Sequence, residues 1–284
     1  MSDNALTAKR RAAVIGWPVA HSLSPLIHMT WASREGVDAH YMIAPAEPDE
    51  ASFRRVADDL RRQGFRGANV TMPHKEHAVR YATQVSDAVR TTGAANMLTF
   101  DEAGVTAANS DATAIRKLIL DLSVPPRTAL VLGAGGAARA ALWALSSIRP
   151  RVNVLVANRT RGRAEAIAAI GASEVIDWEL RNVAAARADV IVNATSLGMT
   201  GEPPLEINDD ALMAGAVAFD TVYRPLETPF LRAAKTKGLR TIDGLSMLME
   251  QAAPGYLCWL GDKADIDDDL RARLVAALTA GAEA

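Results

Sequence analysis

The sequence predicts an α/β fold of two domains, the first around a mostly parallel sheet and the second around a doubly wound parallel sheet. Three observations carry this. Short apolar runs alternate with helix-period patterns along most of the chain, a glycine-rich loop separates one such run from the helix after it, and Ser123-Val124-Pro125-Pro126-Arg127 interrupts the alternation near the middle.

In the first half, Ala12–Gly16, His40–Ala44 and Gly67–Val70 read as strands, being short, apolar and bounded by turn residues. Between the last two, Asp49–Gln63 places Phe53, Val56, Ala57 and Leu60 at spacings of three and four, an amphipathic helix with its arginines toward water. Strand, helix and strand with short links imply a parallel βαβ unit. Asp111–Leu120 is a helix with the stripe Ala114, Ile115, Leu118 and Ile119, and the entry to the second domain is placed along it. Beyond the proline break come the strands Thr128–Leu132, Val152–Ala157, Asp189–Asn193 and Val217–Asp220, separated by helices at Ala137–Ser147 and Arg161–Ile170. This is the Rossmann-like pattern. The tail from Met247 is helical again, with Leu270, Leu274, Val275 and Leu278 on one face and Asp267-Asp268-Asp269 suited to a helix start.

The 284 residues are 49% hydrophobic and 23% charged, with a formal net charge of −2. No global field favours nucleic acid or a membrane surface, so charge recognition has to be local. The one cysteine, Cys258, excludes an intrachain disulfide, and its neighbours Tyr256, Leu257, Trp259 and Leu260 suggest an inert core thiol. Met1–Lys9 is polar and lacks the apolar run of a leader. Ala252–Leu260 is too short to span a bilayer and is expected to be broken by Pro254 and Gly255. A cytoplasmic protein is expected.

After Thr128–Leu132 comes Gly133-Ala134-Gly135-Gly136-Ala137, opening a helix. Glycines permit the sharp turn and let the backbone approach a pyrophosphate, while a helix N-terminus offers N–H groups and partial positive charge. The strand–loop–helix context makes the motif informative. At the next strand end, where NAD enzymes usually carry an acid for the ribose hydroxyl, stand Asn158-Arg159-Thr160, followed by Arg161 and Arg163. A guanidinium fork matches a phosphate, so the nucleotide indicated is NADP, with Arg159 the main discriminator.

Four segments of the first half are unusually polar for places where strands end: His21-Ser22-Leu23-Ser24-Pro25, Asn69-Val70-Thr71-Met72-Pro73-His74-Lys75, Gly93-Ala94-Ala95-Asn96 and Asn109-Ser110-Asp111. The serines and Asn109 would also serve as ordinary helix caps. Lys75 is the sharper signal. Only six of the 31 basic residues are lysine, and a helix start is a poor place for a cation, so a deprotonatable amine is indicated.

These segments, with Gly133–Arg139, Asn158–Thr160, Asn193-Ala194-Thr195-Ser196, Asp220-Thr221-Val222-Tyr223-Arg224-Pro225 and Gln251, resemble the shikimate dehydrogenase family, in order over nearly the whole chain. The resemblance implies a substrate domain at 1–110, completed by helices in 247–284, and an NADP domain at 111–246, the two flanking a cleft. It implies Lys75 and Asp111 as an acid–base pair, and Ser22, Ser24, Asn69, Thr71, Asn96, Tyr223 and Gln251 as ligands for the carboxylate and hydroxyls of a small ring acid. Gly133, Ala134, Gly135, Gly136, Ala137, Asn158, Arg159, Thr160, Thr195, Thr221 and Gly244 would line the NADP site, with Asp87 near the nicotinamide. The reaction implied is reversible NADP-linked reduction of 3-dehydroshikimate to shikimate, by a monomer or homodimer.

The chain departs from the family pattern at Met29, Met97 and Ser110, and at Ala107, Ala112 and Ala114, where glycines are common. A paralogue acting on quinate or a related ring hydroxy acid is the nearest alternative, and a non-catalytic ligand sensor is another. A sensor would not need both Lys75 and Asp111. His28, His74 and His77 lack a carboxylate at ligand spacing, so no metal site is expected and the imidazoles are read as solvated or on helix surfaces.

Overall fold

The computed structural model describes residues 9–280. The polar start read above as lacking a leader falls, apart from Lys9, outside the described residues, as do 281–284. The chain divides into two compact units: one runs to Ser110 and resumes at Met249–Ala277, the other is Asp111–Leu248 with the residues from Leu278.

The first unit begins with β1 (Arg10–Gly16), α1 (Ser24–Glu35), β2 (Ala39–Pro45), α2 (Glu50–Arg62) and β3 (Gly67–Val70). Asp49 caps α2, accepting from the Ser52 N–H at 2.8 Å, and Phe53, Ala57 and Leu60 are buried as their spacing requires. After β3 come α3 (Lys75–Tyr81), β4 (Gln84–Val85), α4 (Asp87–Thr92), β5 (Met97–Asp101) and β6 (Gly104–Ala108). The sheet order is β2-β1-β3-β5-β6-β4. The β1–β2, β1–β3 and β4–β6 pairs are parallel, whereas the β5–β6 hairpin and its junction with β3 run antiparallel. Ile15, Phe53, Leu60, Val70, Val89 and Leu98 belong to the core on one side of this sheet.

α5 (Ser110–Leu120) leads to the second unit, a doubly wound sheet of β7 (Thr128–Leu132), α6 (Gly136–Ser146), β8 (Asn153–Ala157), α7 (Arg161–Ala168), β9 (Glu174–Val175), α8 (Arg181–Ala185), β10 (Val190–Asn193), β11 (Val217–Asp220), α9 (Pro229–Thr236) and β12 (Arg240–Ile242). Its order is β12-β11-β10-β7-β8-β9, and every pair is parallel. Strands β7, β10 and β11 carry near-continuous apolar runs because helices cover both faces of such a sheet.

Two helices close the chain, α10 (Gly244–Trp259) and α11 (Asp268–Ala280). Contrary to expectation, α10 continues through Pro254. A proline costs a helix one backbone hydrogen bond, and here the helix keeps the burial of Ala252, Tyr256, Trp259 and Leu260. Gly255 belongs in the helix too, since a Cβ there would lie 2.7 Å from the Trp259 ring. The expected core thiol is also corrected: α10 turns Tyr256 and Trp259 inward, leaving Leu257 and Cys258 exposed. Residual burial still pushes the Cys258 thiol pKa up.

The resumed segment is stitched to the first unit by polar bonds from aromatic rings. Trp31 Nε1 donates to the Asp265 carbonyl at 2.7 Å, Trp259 Nε1 to Thr99 Oγ1 at 2.9 Å, and the Tyr256 hydroxyl to Glu35. Gly67 makes room for this, because a Cβ would stand 2.2 Å from Trp259 Nε1. Asp267 accepts from the Leu270 N–H at 2.8 Å and starts α11. No helix among the described residues is long and apolar enough to cross a membrane.

Candidate active site

In the first unit, five polar side chains around the C-terminal end of β3 form one buried network. The Asn96 amide donates to Ser110 Oγ at 2.9 Å and Gln251 Oε1 at 3.2 Å, while its oxygen accepts from the Ser110 N–H at 2.7 Å. The Asn96 carbonyl accepts from the Val70 N–H at 2.8 Å and, at 3.4 Å, from Asn69 Nδ2. The Asn69 oxygen accepts from the Tyr41 hydroxyl at 2.7 Å. Asn69, Asn96 and Gln251 are thus brought together, all buried.

Lys75 opens α3 and is half-buried, and its carbonyl accepts from the Ala95 N–H at 2.9 Å, one residue from Asn96. Asp111 is buried in the first turn of α5, directly after the Ser110 that Asn96 holds. Thr71 is anchored by its N–H to the Ile15 carbonyl at 2.9 Å, and its methyl occupies space that a side chain at Gly16 would fill, 2.3 Å from a Cβ there. Ser22 Oγ accepts from the Ser24 N–H at 3.3 Å, and Leu23 caps α1 without a side-chain bond. Neither serine therefore acts as the ordinary cap of this helix. Asp87 is exposed in the first turn of α4 and ion-paired with Arg90.

The histidines correct the sequence reading. His28 and His74 are completely buried. His74 Nε2 faces the Ala46 carbonyl at 2.9 Å, an acceptor only, so Nε2 carries the hydrogen and Nδ1 faces His77 Nδ1 at 2.9 Å. That pairing seats the residue before Lys75. Burial lowers the His77 pKa. No cluster of three or more His, Cys, Asp or Glu that could hold a metal occurs among the described residues.

In the second unit, the loop after β7 has the shape a pyrophosphate needs. Gly133 sits at φ 117°, where a Cβ would meet the Ala194 carbonyl oxygen at 2.6 Å, so the loop packs tightly on the strand beside it. Ala134 follows it, and Gly135 is the N-cap of α6 with no capping side chain and open space where a Cβ would be. Gly136 and Ala137 form the first turn, whose N–H groups a phosphate would satisfy. After β8, Asn158 Nδ2 donates to the Thr160 carbonyl at 3.0 Å and shapes the turn that presents Arg159. Arg161 is committed to Glu165 at 2.9 Å and Asp177 at 2.6 Å. Arg159 is exposed and has no hydrogen-bond or ion-pair partner among the described residues. The residues therefore fit NADP.

Sequence reasoning gave no role to Asp220, which organises this end of the sheet. Its buried carboxylate accepts from the Thr228 hydroxyl at 2.6 Å, Asn193 Nδ2 at 2.9 Å and the Val222 N–H at 2.9 Å. Burial nonetheless raises its pKa. Asn193 in turn receives the Thr195 hydroxyl on its side-chain oxygen at 2.7 Å and the Thr221 hydroxyl on its carbonyl at 3.0 Å. Gly244 packs against this segment, its hypothetical Cβ 2.5 Å from the Val222 carbonyl. Tyr223 is half-buried, which raises its phenol pKa. A carboxylate at a strand end followed by hydroxyl residues was the available signal.

The profile of the shikimate dehydrogenase substrate binding domain matches residues 14–98, and that of shikimate / quinate 5-dehydrogenase matches 126–200. Shikimate dehydrogenase (NADP(+)) of Azorhizobium caulinodans is 44% identical over 280 residues, covering 95% of this chain and 98% of its own. The enzyme of that name from Acidiphilium cryptum is 44% identical, with 94% and 96% covered. Among solved structures, shikimate 5-dehydrogenase of Thermus thermophilus in complex with NADP(H) and shikimate matches with a TM-score of 0.82 at 33% identity, covering 95% of this chain and 99% of that one. Quinate dehydrogenase of Corynebacterium glutamicum in complex with NAD matches with a TM-score of 0.84 at 26% identity, covering 94% and 99%.

Proposed function

The chain belongs to the shikimate dehydrogenase family, and on that premise we propose that it is the NADP-dependent oxidoreductase that reversibly reduces 3-dehydroshikimate to shikimate. The observation that carries the substrate side is the buried set of Asn69, Asn96 and Gln251 next to the start of the helix bearing Lys75. Core packing does not require such amides, whereas a polyhydroxylated ring acid does, because each of its hydroxyls needs a matched neutral partner. Ser22, Ser24, Thr71 and Tyr223 complete the donors for its carboxylate and hydroxyls.

NADP, when bound, supplies the hydride in reduction and accepts it in oxidation. Gly133–Ala137 would hold its pyrophosphate, Arg159 with Asn158 and Thr160 its 2′-phosphate, and Thr195, Thr221 and Gly244 the remainder, with Asp87 near the nicotinamide. During reduction, negative charge develops on the ketone oxygen. Lys75 Nζ stabilises that charge and donates the proton that completes the hydroxyl. Asp111 carboxylate accepts a hydrogen bond from the hydroxyl and so orients it. In oxidation the same amine takes the proton back.

The departures from the family pattern do not favour quinate, since Met97, Ala107, Ala112 and Ala114 are buried packing positions. The purified protein should oxidise NADPH when given 3-dehydroshikimate, with quinate and NAD+ as comparison arms. Lys75→Ala should lower kcat by about 10²–10⁴-fold, the range for a positioned acid–base group, at an unchanged melting temperature. Full activity in that variant would refute the role of Lys75, and turnover of quinate alone would refute the substrate.

A further inference from the structure

We propose that Tyr41 is a positioning residue for substrate recognition: its hydroxyl fixes which end of the Asn69 amide faces the substrate, and His28 holds the Tyr41 ring in place. The inference rests on the reading above that Asn69 binds the ring hydroxy acid.

A primary amide has two ends of nearly equal shape and opposite hydrogen-bonding sense. Asn69 is 5% exposed, so its orientation is decided by its neighbours. Tyr41 donates to Oδ1 at 2.7 Å, while Nδ2 has only a long contact of 3.4 Å with the Asn96 carbonyl. The amide N–H groups are thereby left for a further acceptor such as a substrate hydroxyl. Turned over, the amide would set its oxygen against the Asn96 carbonyl, two acceptors facing one another, and the Tyr41 proton would have to move toward Ser24, its other polar neighbour. Tyr41 is itself fully buried, and its phenol pKa is raised by that burial, so the hydroxyl stays a donor throughout the working range.

The Tyr41 ring is placed by His28, stacked on it at a centroid distance of 4.1 Å and an interplanar angle of 11°. Trp31 meets the His28 ring edge-on at 5.9 Å, closing the other direction. Neither His28 ring nitrogen meets hydrogen-bond geometry with any partner among the described residues, and the nearest polar group is the Asn69 side chain itself. The histidine acts here as a flat surface. Burial drives its pKa down to about 3, so the ring places no charge beside the amide.

The test is steady-state kinetics with shikimate and NADP+ on Tyr41→Phe, which keeps the ring, volume and stack. Losing one net hydrogen bond's worth of orientation should raise KM for shikimate about five- to tenfold, with kcat within about twofold and KM for NADP+ unchanged. In an Asn69→Ala background the same substitution should add nothing, because Tyr41 acts only through that amide. An unchanged KM in the single variant, or an equal rise in both backgrounds, overturns the proposal. Should Tyr41→Phe not fold, His28→Leu removes the flat face and keeps the hydroxyl, and the same rise in KM is expected. Wild-type protein inactive on shikimate would defeat the functional reading and this proposal with it. Active wild type with indifferent variants would defeat only the role of Tyr41.

Discussion

His28 carries two hydrogen-bonding atoms into an interior where, among the described residues, neither finds a well-formed partner and Asn69 is the nearest polar side chain; burying such groups costs free energy that stacking alone does not recover. His28→Phe keeps the flat ring against Tyr41 and removes both unpaired nitrogens. It should raise stability by about 1–2 kcal/mol in urea unfolding and leave KM for shikimate unchanged. A loss of stability would mean that a ring nitrogen is satisfied after all, for instance by a buried water. At this scale the sequence exposes chemistry better than environment. Lys75 and the amides stood out because their types are unusual where strands end. The burial of His28 and His74 and the exposure of Cys258 did not, because each depends on contacts between segments far apart in the chain: Tyr41 and Trp259 around His28, Ala46 against His74. Tyr41 itself passed as one more apolar position in a strand.

Among the elements, α9 shows how one side chain links a helix end to a site. Thr228 is completely buried, caps α9 by accepting from the Leu231 N–H at 3.3 Å, and donates to Asp220 at 2.6 Å. Thr228→Ala should cost about 2–4 kcal/mol at pH 7, combining a lost cap with a lost donor to a buried carboxylate. The pH dependence has a definite sign. The folded Asp220 pKa already lies above its unfolded value, so its contribution to stability is fully present below the unfolded pKa and is lost as pH rises through the folded one. Removing the Thr228 donor raises the folded pKa further, so the cost should shrink as pH falls toward about 4. Unfolding curves of both proteins across that range check it, and a pH-independent difference would refute the link to Asp220. Elements with strong periodicity were legible, α2 above all, as were the buried strands β7, β10 and β11. The two-residue strands β4 and β9 and the β5–β6 hairpin were not, for their stability comes from partners in the sheet rather than from their own pattern. Pro254 misled for the same reason: local propensity argued for a break that the burial of Tyr256 and Trp259 overrides.

For the molecule as a whole, 33 acidic against 31 basic residues leave no overall field to draw in a nucleotide carrying an extra phosphate. Preference for NADP over NAD therefore has to reside in a few groups, and the arginines after β8 differ in what they can offer. Arg161 is held by two carboxylates, and Arg159 by none. Hydrogen bonds to charged groups contribute about 1.5–3 kcal/mol each, so Arg159→Ala should weaken NADP+ binding about 10–100-fold and leave NAD+ binding nearly unchanged. Thermal unfolding reads this directly. NADP+ at 100 times its Kd should stabilise the native protein by about 2.7 kcal/mol, and at that same concentration most of the shift should vanish in the variant. Rising salt should erode the wild-type preference in the same direction, since the phosphate meets an exposed guanidinium that ions can screen. An equal loss for both nucleotides would place Arg159 on the part of the cofactor they share and leave the selectivity to Asn158 and Thr160. No loss for either would mean that the glycine loop and the α6 N-terminus bind the nucleotide without help from this side chain.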